Sequence, residues 1–278
     1  MTRAALAATA LAAAALGTAA PVSAAPPITM SGEPVTRALV ADLAYFYRHE
    51  TRRPPLFELT GGGSSAGIAD TFRGITDAAL VSRPLSAQDP PGLTITPLAI
   101  SAICLVTHNR NPVPALTRAQ VQDIVAGRVR AWSQIPGSAR TGPIVPVDLG
   151  LTSGAGRVFQ DVFLDPGTAP AWRPVTLLTT AQARDYIQQD PDAFGYVDLA
   201  LTGPLHTIAY EGVDCTRATV RAGRYAASRP LAVVTRGRPR PALRRFLRWV
   251  RHSRTARRVI ATRYIPSART RPPPTTSP

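Results

Sequence analysis

The sequence predicts an α/β protein with mostly parallel sheets. Two observations carry this expectation. Apolar, strand-like runs alternate with segments of helical period. Two Gly/Ser loops, Gly61-Gly62-Gly63-Ser64-Ser65-Ala66-Gly67-Ile68 and Thr152-Ser153-Gly154-Ala155-Gly156-Arg157-Val158-Phe159, each follow a strand-like run and lead into a helix-like pattern. At such a corner glycines let backbone approach a ligand, unpaired N–H groups point at it, and serine hydroxyls add donors. Two of these half-sites predict one anion clamped from two sides.

Arg3, the Ala/Leu run Ala4–Ala20 and the small residues of Val22-Ser23-Ala24 predict a secretory signal peptide over residues 1–24. No cysteine lies near the cut, so no lipid anchor is expected, and no later apolar run is long enough to span a bilayer. A helix is expected from Val35 to His49, a strand at Pro55–Leu59, a helix over Ile68–Phe72 and a strand at Ile75–Val81. That strand ends in a third corner, Ser82-Arg83-Pro84-Leu85. Leu93–Val106 reads as a β run broken by Pro97. Thr117 and Gln120 form a capping box for a helix whose buried face is Val121, Ile124 and Val125, with Gly127 at the stop. Ile144–Val147 is a strand before the second glycine loop, whose helix carries Val158, Phe159, Val162 and Phe163. Strands follow at Val175–Leu178 and Phe194–Val197, around a helix at Ala181–Gln189. Thr216–Gly223 reads as a short helix, Pro230–Thr235 as a strand and Pro241–Arg263 as a closing helical region. The Pro/Thr-rich tail, 267–278, is expected to be disordered.

The chain of 278 residues carries a net charge of +15, and all of its Lys/Arg positions are arginine. A sequence pI near 11.3 raises the local concentration of any anion. In the richest stretch, Arg244–Arg251, the residues Leu243, Phe246, Leu247 and Val250 form a helical stripe. It reads as a core-facing helix with a solvated arginine face, and no nucleic-acid motif accompanies it. The two cysteines, Cys104 and Cys215, are expected as separate thiols, since one lies in an apolar run and the other in a loop. The four histidines are scattered, so neither a metal site nor a cofactor is expected.

Gly63-Ser64-Ser65-Ala66-Gly67 also matches the G-x-S-x-G elbow, which makes Ser65 a candidate nucleophile of an exported serine hydrolase or phosphoesterase. That elbow arrives after a single strand, however, and no oxyanion loop precedes it. Gly61–Ala66 fits G-x-G-x-x-A with Ser82-Arg83 downstream, a lone dinucleotide-type match. The plain alternative for each glycine loop is a turn, and for Arg83 and Arg157 a surface residue.

Taken in order, several segments resemble the phosphate-binding proteins of bacterial ABC phosphate importers. They are Gly63–Gly67, Ala79–Leu85, Leu116–Trp132, Ser153-Gly154, Phe194–Val197, Arg221–Tyr225 and Ser228-Arg229-Pro230-Leu231. The resemblance runs from about Ile28 to Pro266. It implies a two-lobed, type II periplasmic-binding fold: lobe one over 25–97 plus 237–266, lobe two over 98–236, hinged at the runs Leu98–Val106 and Leu231–Thr235. It further implies a non-enzymatic, monomeric, periplasmic or secreted binder of phosphate or a similar oxyanion that serves an ABC permease. The ligand contacts implied are Ser31, Gly32, Ser64, Ser65, Ser82 and Arg83 from one lobe, with Ser153, Gly154, Ala155 and Arg157 from the other. Ala155 stands where the family usually has threonine, and Leu149 where it commonly has arginine. A phosphate-specific site also needs an acceptor for the ligand's proton, for which Glu33 and Asp148 are the candidates. A binding fold with a degenerate pocket that serves a partner interaction is the third reading.

Overall fold

The computed structural model describes residues 26–151, 153–166, 168 and 173–267. The expected signal peptide and all but the first residue of the expected tail lie outside them. In chain order the elements are β1 (Ile28–Gly32), α1 (Pro34–Glu50), β2 (Phe57–Thr60), α2 (Gly63–Arg73), β3 (Ala78–Val81), β4 (Leu93–Thr107), β5 (Ala115–Leu116), α3 (Arg118–Val125), β6 (Val145–Asp148) and α4 (Gly154–Phe163). They continue as β7 (Val175–Thr176), α5 (Thr180–Gln189), β8 (Ala193–Asp198), β9 (His206–Thr207), β10 (Ala209–Tyr210), α6 (Arg217–Arg221), β11 (Ser228–Arg236), α7 (Pro241–His252), α8 (Arg254–Arg263) and β12 (Ile265–Pro266).

The main sheet runs β2-β1-β3-β11-β4-β8-β6-β7. Its two wings are parallel: β1 with β2 and β3, and β6 with β7 and β8. Between the wings lies an antiparallel pair, β4 with β11; β11 joins it to β3 of the first wing and β4 to β8 of the second. Pro97 does not break β4. The register shifts beside Leu231, so that Leu231 opposes Ala99 while Ala232 opposes Pro97, and Leu98 is the extra residue of a bulge. A bulge is where a strand tolerates a proline that has no N–H to donate.

The apolar side chains separate into cores along this ribbon. Leu98 and Ala99 of β4 join Ile28, Leu39, Leu43, Leu80 and Phe246, beneath α1 and α7. From Ala102 onward β4 joins a second core with Val121, Phe163, Ile187 and Tyr196. Along the chain entering β11 the change falls between Ala227, just before the strand and in the second core, and Leu231, in the first. Of the run Leu231–Thr235, Leu231 and Val233 pack in the first core, and Ala232 and Val234 pack on the other face with Ile68 of α2. β3 alternates as a strand buried on both faces must: Ala78 and Leu80 face α1, whereas Ala79 and Val81 face Ile68 of α2.

The cysteines correct the expectation of separate thiols. Cys104 and Cys215 are disulfide-bonded, with Cα atoms 5.6 Å apart. β9 runs antiparallel beside Val106 and Thr107, and the Ile208 amide donates to the Leu105 carbonyl at 2.9 Å. A turn through Glu211 and Gly212, both at positive φ, then brings Cys215 back to β4. No local pattern reveals this meeting across 111 residues. Replacing both cysteines with alanine is expected to lower unfolding free energy by about 2–4 kcal/mol in a urea titration, because the bridge closes a long loop of the unfolded chain.

Candidate oxyanion cleft

The carboxyl ends of β2, β3 and β6 deliver the three corners to one place. This is where ligands sit on open parallel sheets. Helix α2 begins earlier than its apolar pattern indicated. Gly62 and Gly63 take positive φ of 132° and 79°, which turns the chain tightly enough for Ser64 and Ser65 to occupy the first helical turn. Ser153 caps α4, its Oγ accepting from the amides of Ala155 (3.2 Å) and Gly156 (3.5 Å).

The two helix starts meet across the gap between the cores. A Cβ on Gly154 would lie 2.7 Å from both Glu33 Oε2 and Ser82 Oγ, so a side chain there would have to push both away. On one side of this meeting point a cleft of about 310 Å³ is lined by Gly63, Ser64, Ser65, Ser82, Arg83, Gly154 and Arg157, with Asp161 at its edge. On the other a cleft of about 380 Å³ is lined by Glu33, Gly63, Ser153, Ala155, Thr180, Asp198 and Arg229. Gly63 borders both.

The serines are held as donors. Ser64 Oγ accepts from the Ser82 amide at 3.1 Å, and Ser82 Oγ accepts from Arg229 Nη1 at 3.2 Å. A hydroxyl that accepts from the protein keeps its own proton to give. Ser64, Ser82 and Ser153 each satisfy that condition at the edge of a cleft. Ala155 is buried and brings no side-chain donor.

Two expected contacts lie elsewhere. Ser31 Oγ donates to Asp70 Oδ2 at 2.9 Å, and Gly32 presses its backbone against Leu80, where a Cβ would come 2.1 Å from the carbonyl oxygen. Neither lines a cleft. The arginines line the first cleft but are engaged. Arg83 makes two 2.7 Å bonds to Asp89, which hold that carboxyl down to about 2, and reaches Ser65 Oγ at 3.3 Å. Arg157 Nη2 donates to the Leu151 carbonyl at 3.2 Å.

Of the two acceptor candidates, only Glu33 lines one of these clefts, the second, beside the Gly154 meeting point. It is 5 % exposed, and its Oε2 has no hydrogen-bond partner among the described residues. Burial pushes its carboxyl up. The nearby Asp198 charge acts in the same direction, while Arg229 and the Gly154 backbone oppose both. Asp148 instead accepts from Tyr196 Oη at 2.6 Å and from the Gly150 amide.

Sequence reasoning did not assign Arg229 to the site. It is 2 % exposed on β11, where the cores change over. Nη2 donates to Asp198 Oδ2 at 2.7 Å, and Nη1 stands 4.0 Å from Glu33 Oε1. Asp198 accepts in addition from Ser101 Oγ (2.9 Å) and Thr180 Oγ1 (3.3 Å). The one available signal was an arginine inside an otherwise apolar strand.

The nucleophile reading of Ser65 finds no histidine base. His49 bonds to the Tyr45 carbonyl, His108 to the Arg110 amide and His206 to the Val113 carbonyl, and His252 borders a groove beside α7. None of them lines either cleft. Among the described residues, no cluster of three His, Cys, Asp or Glu side chains is placed to hold a metal ion.

Residues 8–253 match the PBP superfamily domain. The chain belongs to this family. As a PBP superfamily protein it shares its mixed α/β fold with solved type II binding proteins. One is a candidate phosphate ABC transporter substrate-binding protein from Clostridium perfringens, solved with bound phosphate. Its TM-score is 0.77 at 23 % identity, covering 87 % of this chain and 100 % of that one. Another is an ABC-type phosphate transport receptor from Vibrio cholerae, with a TM-score of 0.72 at 23 % identity, covering 86 % and 100 %. Among curated proteins, the phosphate-binding protein PstS 2 of Streptococcus pneumoniae is 28 % identical over 108 residues, 39 % of this chain. The matched segment spans 37 % of that relative's length. No helix among the described residues of this PBP superfamily protein is long and apolar enough to cross a membrane.

Proposed function

We propose that this chain is an exported, non-enzymatic solute-binding protein that captures phosphate for an ABC importer. One observation carries the reading: the starts of α2 and α4, each bearing serines, converge beside a buried arginine at the junction of two cores. Serine hydroxyls, helix amides and a cation suit a tetrahedral oxyanion in a dry cleft, where charged hydrogen bonds are strong. The phosphate-binding proteins among its structural neighbours support the same ligand.

In this reading one lobe comprises residues 26–99 with 230–266, the other 101–227, and β4 and β11 form the hinge. Ser64, Ser65, Ser82 and Gly154 contact the anion from the first cleft. Ser153 and Ala155 give the start of α4, Arg83 and Arg157 border the entrance, and Ser31 and Gly32 set the strand that positions Glu33. The closed pair of lobes is the form a permease reads. The disulfide suits an oxidising, extracytoplasmic compartment.

Glu33 accepts the proton of hydrogen phosphate. Sulfate brings no such proton, so an ionised Glu33 repels it, whereas a protonated Glu33 can donate to either anion. Because burial raises the Glu33 pKa, preference for phosphate over sulfate is expected to be greatest above that raised pKa and to narrow as pH falls through it. Calorimetric titration with phosphate, sulfate, arsenate and molybdate tests the assignment. Saturable phosphate binding is expected, and heat from none of the four would defeat it. In Glu33→Gln the phosphate-to-sulfate ratio is expected to fall by about tenfold, the equivalent of roughly 1.4 kcal/mol, and to lose the part of its pH dependence that follows Glu33, keeping only that of phosphate's own ionisation.

A further inference from the structure

A second surface, centred on α7, α8 and the C-terminal half of α1, carries most of the molecule's charge; of its arginines, Arg263 also borders the second cleft. α1 packs against α7 and α8. Residues 34–53 and 241–263 together hold twelve arginines and two acids, a net +10 of the chain's +15. Both acids are engaged: Asp42 lies 3.9 Å from Arg263, and Glu50 Oε2 accepts from Trp249 Nε1 at 2.7 Å. Arg48, Arg52, Arg53, Arg245, Arg248 and Arg258 are exposed.

Aromatic side chains stand among these charges. Tyr45 is 59 % and Phe46 40 % exposed, with ring centroids 5.3 Å apart, and Tyr45 also rests on His49 at 4.3 Å. Leu56, in the following loop, is 55 % exposed. Arginine alone would serve for any polyanion. Arginine interleaved with outward aromatic and leucine side chains matches a layer that is anionic at its surface and apolar just beneath, where amphipathic rings settle at headgroup depth.

We propose that this face docks the protein on an anionic phospholipid bilayer. Pro34, Val35 and Ala38, at the other end of α1, line the second cleft. Tyr45 is therefore set back by roughly 16 Å along the helix, at 1.5 Å per residue. A protein lying on this face keeps its cleft open to solution. The proposal does not depend on which anion the cleft holds.

Co-sedimentation of the full chain with phosphatidylglycerol-containing and with pure phosphatidylcholine vesicles is the test. Comparing the two lipids cancels any uncharged contribution of the apolar N-terminal stretch. Binding is expected to favour the anionic vesicles by at least about tenfold and to weaken with salt, since each surface arginine contributes about fivefold. A combined Arg48→Gln, Arg245→Gln, Arg248→Gln and Arg258→Gln variant is expected to lose about a hundredfold or more. The matching arginine-to-lysine variant should retain binding, and Tyr45→Ser should weaken it. Thermal melts report whether each variant is folded. Equal binding to both lipids, or an undiminished glutamine variant, overturns the proposal. So does binding to heparin without binding to anionic vesicles, which would assign the face to a soluble polyanion.

Discussion

Arg229→Met is expected to destabilise the fold by about 3–5 kcal/mol, because it leaves Asp198 buried without its cation. Both partners are almost fully buried, at 2 % exposure each. Methionine fills much of the vacated length, so the loss reflects charge more than volume. Ser101 and Thr180 still donate to Asp198, which places the expected cost within that range instead of above it. Adding Asp198→Asn should recover a large part of it, since a buried pair replaced on both sides costs less than a pair broken on one. Urea denaturation of the two single variants and the double variant measures this directly. Equal losses in Arg229→Met and in the double variant would contradict the pairing. The same arginine holds Ser82 Oγ at 3.2 Å, so phosphate affinity is expected to drop in Arg229→Met even under conditions where the variant is fully folded.

Gly154→Val should have the larger effect on binding and a small one on stability. Its side chain would enter the 2.7 Å gaps to Glu33 and Ser82 and hold the start of α4 away from both. The backbone at 154 is not in the left-handed region, and valine in a first helical turn costs under about 1 kcal/mol. A folded protein is therefore expected, with phosphate affinity reduced about a hundredfold or more, equivalent to roughly 3 kcal/mol. Gly154→Ala should fall between the two. Calorimetry with parallel thermal melts distinguishes binding from folding. A valine variant that binds phosphate like the parent would place the ligand elsewhere.

The features legible in the sequence are those whose physics is local. The capping box of Thr117 and Gln120 forms as written, with Gln120 Oε1 accepting from the Thr117 amide at 2.8 Å. Gly127 takes the positive φ that its position after α3 required. Ser153 caps α4, and the stripe of Leu243, Phe246, Leu247 and Val250 is buried. What escaped depends on distant segments meeting. Cys104 and Cys215 share no local pattern. Arg229 looked like a blemish in a strand until the fold set Asp198 beside it. β1 is a five-residue strand ending in Gly32, just before Glu33, too short to stand out before its parallel neighbours are known. Pro97 looked like a breaker because the bulge that accommodates it depends on Leu231, far along the chain. The closing helical region is two helices, since Ser253 leaves helical geometry at φ −71° and ψ 137° and caps the second.

The ribbon of β4 and β11 has a mechanical consequence. Two strands hydrogen-bonded along their length cannot slide past one another without breaking that ladder, whereas twist is the deformation a two-stranded ribbon carries most of. The halves of the molecule should thus swivel about the ribbon's long axis instead of sliding past one another, with the extra residue at Leu98 as the compliant point. A guest arriving between them works against a torsion spring, and its departure rate would register how tightly that spring is wound.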